Sequence, residues 1–366
     1  MIKPVNVGII GCGDVCRQYL KNAPKFPILQ IVACADMVAE AAIATARQYP
    51  AGRACSVREL LHADDVDVVL NLTIPKAHAP VTLAAIAAGK HVYTEKPLGV
   101  TRDEGKKILA AAAKKKLKIG CAPDTFMGQG VQTARRAIDG GAIGRPVGFT
   151  AFMMCPGHES WHPNPDFHYQ PGGGPMFDMG PYYLTALLNL LGPVKRLCGI
   201  GAIEIPHRTI GSGTKAGTKI KVRTPDLVAG VMEFKGGAVG TIVESFATHH
   251  GPSGTITIFG TEGTIQVPDP NNFGGAVRLR LKDQSEWSDL PPVFVHEYGR
   301  SVGLADMASG IRQKRSFRAS GEQGMAVLDL MQGFLDSSAK GSFYTPSVKY
   351  HRPAPMPVNK AFTELS

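Results

Sequence analysis

Apolar runs of strand length alternate with helix-spaced patterns through the first third of the chain. Val5-Asn6-Val7-Gly8-Ile9-Ile10 is almost continuously apolar, as a strand buried on both faces of a parallel sheet would be. Further strands are expected at Leu29–Ala35, 66–72, His91–Thr94 and 118–122, separated by helical stretches at 38–48, 78–88 and 102–116. Thr101 is placed to cap the last of these helices. Residues 130–140 read as another helix that ends in a glycine pair. Beyond about residue 145 the alternation gives way to strands punctuated by glycine, at 147–154, Leu227–Phe234, 238–246 and 255–259. Residues 255–259 and 264–267 flank Gly260-Thr261-Glu262-Gly263, a hairpin signal. Residues 277–282 alternate apolar and basic side chains, as in a sheet with one wet face. A helix is expected over Gly321–Lys340, with Ser320 and Gln323 as a capping box, followed by a proline-rich strap or loose end after Tyr350.

The turn after the first strand carries chemistry. In Gly11-Cys12-Gly13-Asp14-Val15-Cys16, Gly11 permits the tight turn and Gly13 lets backbone approach a pyrophosphate. The amides of Gly13, Asp14 and Val15 then open a helix whose unpaired N–H groups suit that dianion. Cys16 stands where a third glycine or alanine is usual and is small enough for helix–strand packing. Asp36, at the end of the second strand, is spaced to accept hydrogen bonds from an adenosine ribose. An acid there favours NAD over NADP, because it repels a 2′-phosphate and Met37 supplies no cation. The expected fold is an α/β Rossmann domain over residues 1–122, then an α+β domain with a large mixed or antiparallel sheet over 123–366.

Three more motifs follow in order: Thr73-Ile74-Pro75-Lys76-Ala77-His78, Glu95-Lys96-Pro97, and Gly172-Gly173-Gly174-Pro175-Met176-Phe177-Asp178-Met179-Gly180-Pro181-Tyr182. With the Gly11 turn they resemble the glucose-fructose oxidoreductase, inositol dehydrogenase and rhizopine-catabolism (Gfo/Idh/MocA) family over nearly the whole chain. The resemblance implies an NAD-dependent oxidoreductase that moves hydride between nicotinamide and a sugar, polyol or related carbohydrate. It assigns Thr73, His78, Glu95 and Lys96 to the cofactor. Lys96, Asp178 and Tyr182 are its catalytic set, with Lys96 contacting both substrate oxygen and cofactor. Tyr182 stands where histidine is common in the family, and a phenol beside an ammonium serves as acid or base. The resemblance also implies that the large sheet pairs with another subunit, as a homodimer or homotetramer.

Physical chemistry leaves simpler readings beside these. Asp178 and Tyr182 are spaced i, i+4 and share a face if residues 176–191 form one helix. Asp178 could equally be a carboxylate stabilised by a helix start, and Tyr182 and Tyr183 core aromatics. The stretch from Cys155 to Tyr169 holds three histidines and two acids. Its spacing matches no standard zinc pattern, so no metal is expected. Trp161, His162 and Tyr169, with Asp178 and Tyr182, are read as a carbohydrate surface in which aromatic faces pack on C–H groups. Asp124 and Phe126 are weaker candidates. His249-His250 is assigned to a loop between strands.

Composition narrows the classes. The net charge of +10 is dispersed, and its dense run, Lys114-Lys115-Lys116 with Lys118, ends a helix where cations suit the dipole, so no nucleic-acid partner is expected. No apolar run is long enough to span a bilayer, and seven scattered cysteines suit reduced thiols in a cytoplasm. Two other functions use the same motifs. One is a glycoside hydrolase that oxidises its substrate transiently on bound NAD; the other is a non-catalytic regulator that senses dinucleotide.

Overall fold

Six short strands, β1 (Val5–Ile10), β2 (Leu29–Ala35), β3 (Arg53–Ala54), β4 (Val68–Asn71), β5 (His91–Thr94) and β6 (Ile119–Cys121), make one parallel sheet in the order β3-β2-β1-β4-β5-β6. Helices α1 (Asp14–Asn22), α2 (Ala39–Gln48), α3 (Val57–His62), α4 (Pro75–Ala87) and α5 (Arg102–Lys114) connect them. The computed structural model describes residues 3–50, 52–162, 164–252, 254–294 and 299–358. Strand order reverses between β1 and β4, and ligands of such sheets bind beyond the carboxyl ends at that point. Apolar β1 and β4 lie at the centre because both their faces are buried. Thr101 Oγ1 accepts the Glu104 amide at 3.2 Å and caps α5 as expected. Within this sheet and its connections β3 and α3, both short, were not foreseen; α3 opens on a capping box made by Ser56 and Glu59.

The second unit is built on α6 (Gln129–Asp139), β7 (Pro146–Met154), α7 (Gly174–Asp178), α8 (Gly180–Leu191), β8 (Val194–Ala202), β9 (His207–Thr209), β10 (Lys219–Lys221), β11 (Leu227–Phe234), β12 (Val239–Ser245), β13 (Thr255–Gly260), β14 (Gly263–Val267), β15 (Arg278–Leu281) and β16 (Ser288–Asp289). Eight of these strands form a mixed sheet, β16-β15-β14-β13-β7-β12-β11-β8, in which β7 and β12 are parallel and every other pair is antiparallel. One face is core, carrying Phe149, Ala151, Met232, Phe234, Ile242 and Ile258, and α7 packs on it against β11 and β12. Ile200, Val231, Val239 and Phe259 lie on the opposite face, where they are 71%, 39%, 52% and 37% exposed.

The division of the chain differs from a single boundary after residue 122. Residues 299–325, with α9 (Val302–Gln313), belong to the first unit, while residues 326–355, including most of α10 (Gly321–Lys340), belong to the second. The physical reason is a sheet edge that needs a partner: Ser320 bridges to Gly120, and the Cys121 amide donates to Ala319 O at 3.0 Å. The Ser320 capping box is half made: Ser320 Oγ accepts the Gln323 amide at 3.2 Å, but buried Gln323 Oε1 has no partner among the described residues. The proline-rich tail is a strap over residues 352–353, pinned by Arg352 to Asp139 at 2.7 Å and by Arg135 to Pro353 O at 2.7 Å.

Gly11 adopts φ +102°, and a Cβ there would stand 2.7 Å from the carbonyl carbon and oxygen of Leu72. Left-handed backbone and close approach therefore both demand glycine. A Gly11→Ala variant is expected to lose at least about 1 kcal/mol of stability and to weaken dinucleotide binding. Urea unfolding and a fluorescence titration with NADH check this; wild-type values in both would show that the turn tolerates a side chain.

Candidate active site

In the first unit the predicted cofactor residues gather at the carboxyl ends of β1, β2, β4 and β5. Gly13 is the N-cap of α1 with no side-chain cap, and a Cβ on it would meet nothing within 4 Å. Open space against uncapped helix amides fits a pyrophosphate. Asp14 is exposed and Val15 half-buried in the first turn, while Cys16, 1% exposed, fills the packing position of the third glycine. Asp36 accepts from the Cys12 amide at 2.7 Å and the Val38 amide at 2.9 Å. It thus ties the glycine turn to β2, and each oxygen keeps a lone pair for a ribose hydroxyl. These features fit a bound dinucleotide.

Thr73 is half-buried and donates from Oγ1 to Asn71 Oδ1 at 2.7 Å. His78 differs from its assignment. It is fully buried, with Nδ1 2.7 Å from Pro97 O and Nε2 2.8 Å from Thr73 O. Both ring nitrogens face backbone carbonyls inside the protein, and a neutral ring donates to one of them, so His78 sits between the β4–α4 turn and the Glu95-Lys96-Pro97 loop instead of facing a cofactor directly. Burial lowers its pKa, against the pull of those two carbonyls.

The Glu95-Lys96-Pro97 loop follows β5 directly, and Lys96 is half-buried there. Glu95, 6% exposed, accepts from Tyr19 Oη at 2.8 Å and from the Lys96 amide at 3.1 Å, and lies 3.5 Å from Arg300 Nη1. A buried carboxylate thus fixes the backbone that carries Lys96. Asp124, a weaker candidate for substrate contact, is instead fully buried and accepts the Gly303 amide at 3.0 Å. Sequence reasoning had no means to find Arg300 or Gly303, which join from far along the chain.

In the second unit the expected continuous helix over 176–191 is broken. α7 ends at Asp178, and Met179 caps both it and α8. Pro181 is the cause: inside one helix its ring would clash with the carbonyl four residues back, whereas in a first turn it costs nothing. Asp178 and Tyr182 therefore sit on successive helices and not on one i, i+4 face. Tyr182 is buried at 4% exposure, as is its neighbour Tyr183 at 0%.

The glycine triplet sets the position of Asp178. A Cβ on Gly173 would crowd Phe167 O and stand 2.7 Å from His168 O, so α7 starts hard against the segment that bears His168. Asp178 Oδ2 consequently lies 3.2 Å from His158 Nε2 and 3.3 Å from His168 Nδ1. His158 stacks edge-on with Trp161, His168 and Phe246 at centroid distances of 5.3, 4.6 and 4.5 Å. Trp161 is 61% exposed and His162, half-buried, packs edge-on against it, whereas Pro163 lies outside the described residues.

Tyr169 is not on this surface. It is fully buried, its hydroxyl donates to Glu159 and accepts the His158 amide at 3.0 Å, and Arg208 stands 4.8 Å over its ring. Arg208 was also missed; its guanidinium reaches Glu159, Asp226, Pro156 O and Phe246 O at 2.7 to 2.9 Å. The only sequence signal was a lone arginine in a polar stretch.

A parallel sheet with this glycine turn, this acid and this strand order defines an NAD-binding oxidoreductase domain. Residues 5–122 match the model described as "Oxidoreductase family, NAD-binding Rossmann fold", and residues 131–266 match the "GFO/IDH/MocA C-terminal domain". The chain belongs to the Gfo/Idh/MocA oxidoreductases. It is 32% identical to inositol 2-dehydrogenase of Pseudomonas syringae pv. syringae, over 88% of this chain and 91% of that one. It is 28% identical to 1,5-anhydro-D-fructose reductase of Ensifer adhaerens, over 91% and 96%. A solved levoglucosan dehydrogenase in complex with NADH shares the fold, with a TM-score of 0.81 at 24% identity over 95% of this chain and all of that one.

Burial raises the Asp124 pKa to about 6, while Arg300 and the Gly303 amide oppose the rise and Glu95 adds to it. Below the ordinary aspartate value both folded and unfolded chains hold this proton; between there and pH 6 only the folded chain does. Stability must therefore fall as pH rises through that window, by roughly 3 kcal/mol, and remain lower above it. Asp124→Asn keeps the acceptor for Gly303 and should remove this component. Urea unfolding of both proteins near pH 4.5 and pH 7.5 decides the matter; an equal wild-type-to-variant difference at both would refute the assignment.

Proposed function

We propose that this protein is an NAD-dependent dehydrogenase or reductase acting on a CH–OH group of a neutral carbohydrate. The observation that carries the reading is the Glu95-Lys96-Pro97 loop at the carboxyl end of β5, its backbone held by buried Glu95, in the sheet that carries the dinucleotide turn. A bound nicotinamide would supply the hydride acceptor in oxidation and the hydride donor in reduction. Lys96 takes the hydroxyl proton in oxidation and returns it in reduction. Glu95 holds the loop; in the second unit Asp178 and Tyr182 are the candidates for holding the substrate hydroxyls. Trp161 and His162 offer an aromatic and imidazole surface, which suits the C–H faces and hydroxyls of a sugar ring. Relatives named for anhydrofructose, levoglucosan and inositol support that substrate class. Seven free cysteines agree with a cytoplasmic, reducing compartment.

Purified protein incubated with NAD and a panel of aldoses, inositols and anhydrosugars should accumulate NADH, with NADP a poorer acceptor because of Asp36. Lys96→Ala should lower kcat by about 10²- to 10⁴-fold while NAD affinity stays within about tenfold. Substantial turnover by the variant would make Lys96 structural. Glycoside cleavage without net NADH would replace the dehydrogenase by the hydrolase-like reading, and binding without turnover in either direction by the regulator.

The exposed apolar stripe Ile200, Val231, Val239 and Phe259 supports a homo-oligomer paired through the large sheet. Sedimentation should give a dimer or tetramer for wild type and smaller species for Ile200→Glu with Val231→Glu. A monomeric wild type would end this part of the reading.

A further inference from the structure

The chain brings together a donor set that its spacing did not disclose. One ring nitrogen each of His158 and His168 and a carboxylate oxygen of Asp178 lie within 4.8 Å of one another, the only such group among the described residues. We propose that these three side chains hold a divalent first-row transition ion, of the zinc class, in the second unit.

The ligand distances on Asp178 are compatible with an ion of that size. Zinc bonds to imidazole and carboxylate are about 2.0–2.2 Å long, so the edge of a tetrahedral site is about 3.4 Å. The two edges that meet at Asp178 Oδ2 are 3.2 and 3.3 Å. Two imidazoles disfavour calcium and magnesium, which take oxygen donors. Three protein ligands leave at least one position open, as in catalytic zinc sites. All three ligands are inward-facing, with side chains 15%, 8% and 17% exposed, and they come from separately braced segments: the loop tied down by Arg208, the turn before Tyr169, and the end of α7.

A second observation points to a cation in the same region. Glu244 lies on β12, on the covered face of the sheet against which α7 packs, and is fully buried. Neither of its oxygens has a partner among the described residues. The neighbouring charges that act on it are both negative, Asp178 and Asp269. Arg208, a cation of this unit, is committed to Glu159 and Asp226. A carboxyl group buried without a partner beside Asp178 would gain a counter-charge from a dication held there. An open coordination position would take a substrate hydroxyl and favour its loss of a proton; this role rests on the dehydrogenase reading, although the site itself does not.

The test uses the full-length protein after dialysis against a chelator. Cobalt(II) chloride is titrated in without NAD or sugar while visible absorption is recorded. One equivalent should bind with the d–d bands of a four- or five-coordinate site, and zinc should displace it. His158→Ala and the near-isosteric Asp178→Asn should each weaken cobalt binding by at least about 100-fold, whereas His249→Ala with His250→Ala should not. If His158→Ala fails to fold, the wild-type spectrum and Asp178→Asn decide alone. Absence of a saturable band, or affinity unchanged in the ligand variants, overturns the proposal. NADH formation followed in parallel separates the two readings. Cobalt binding without turnover keeps the site and sinks the dehydrogenase, and turnover without cobalt binding does the reverse.

Discussion

A single buried guanidinium organises the second unit. Among its described residues the segment from Cys155 to Tyr169 has no strand and only a short 3₁₀ turn, so ladder hydrogen bonds do not hold its backbone in place. Arg208, 3% exposed, supplies what is missing: Nη1 donates to Pro156 O and Glu159, and Nη2 to Asp226 and Phe246 O. Only arginine offers several donors in one rigid plane, so lysine could not span both carboxylates and both carbonyls. Such a buried pair adds little net stability against a well-packed apolar core, but losing one partner would cost about 3–5 kcal/mol. Its contribution is to select one geometry for the loop, and the imidazole of His158 follows from that geometry.

The first unit solves the same problem with the charge reversed. Here the irregular segment is the Glu95-Lys96-Pro97 loop, and a buried carboxylate fixes it through Tyr19 on α1, the Lys96 amide and Arg300. His78 adds a second tie, its ring set between Pro97 O and Thr73 O. Lys96 in one unit and His158 in the other thus stand on loops at the ends of regular elements, and buried polar groups remove the freedom those loops would otherwise keep.

What could be read in advance follows from the range of the interaction involved. β1, β2, β5, β11 and α10 have the expected bounds because apolar runs, turn glycines and caps act within a few residues. Gly11 and Asp36 were legible for the same reason, since strand, turn, helix and acid come in order. Whole strands of low apolar contrast were missed: β8 begins Val-Lys-Arg, and β9 and β10 are three residues each. The break at Met179 was written in Gly180-Pro181, but the strong apolar periodicity on either side concealed it. His158, His168 and Asp178 are ten residues apart in each step, which suits no helix or strand, and the close packing at Gly173 and the Arg208 ties to the loop cannot be read from that spacing.

Pairing, and not burial alone, separates the acids of this protein. Glu95 and Asp226 are buried beside cations, Arg300 and Arg208, and both serve to hold a loop. Glu244 has no such partner among the described residues, and burial, then the charges of Asp178 and Asp269, push its pKa well above the usual carboxylate range. A glutamic acid kept neutral in a core could be replaced by glutamine or methionine at no electrostatic loss. A positive charge held nearby would give the carboxyl group a partner and favour its ionised form. Three histidine and aspartate donors within reach of the same α7–β12 layer are where such a charge would be held.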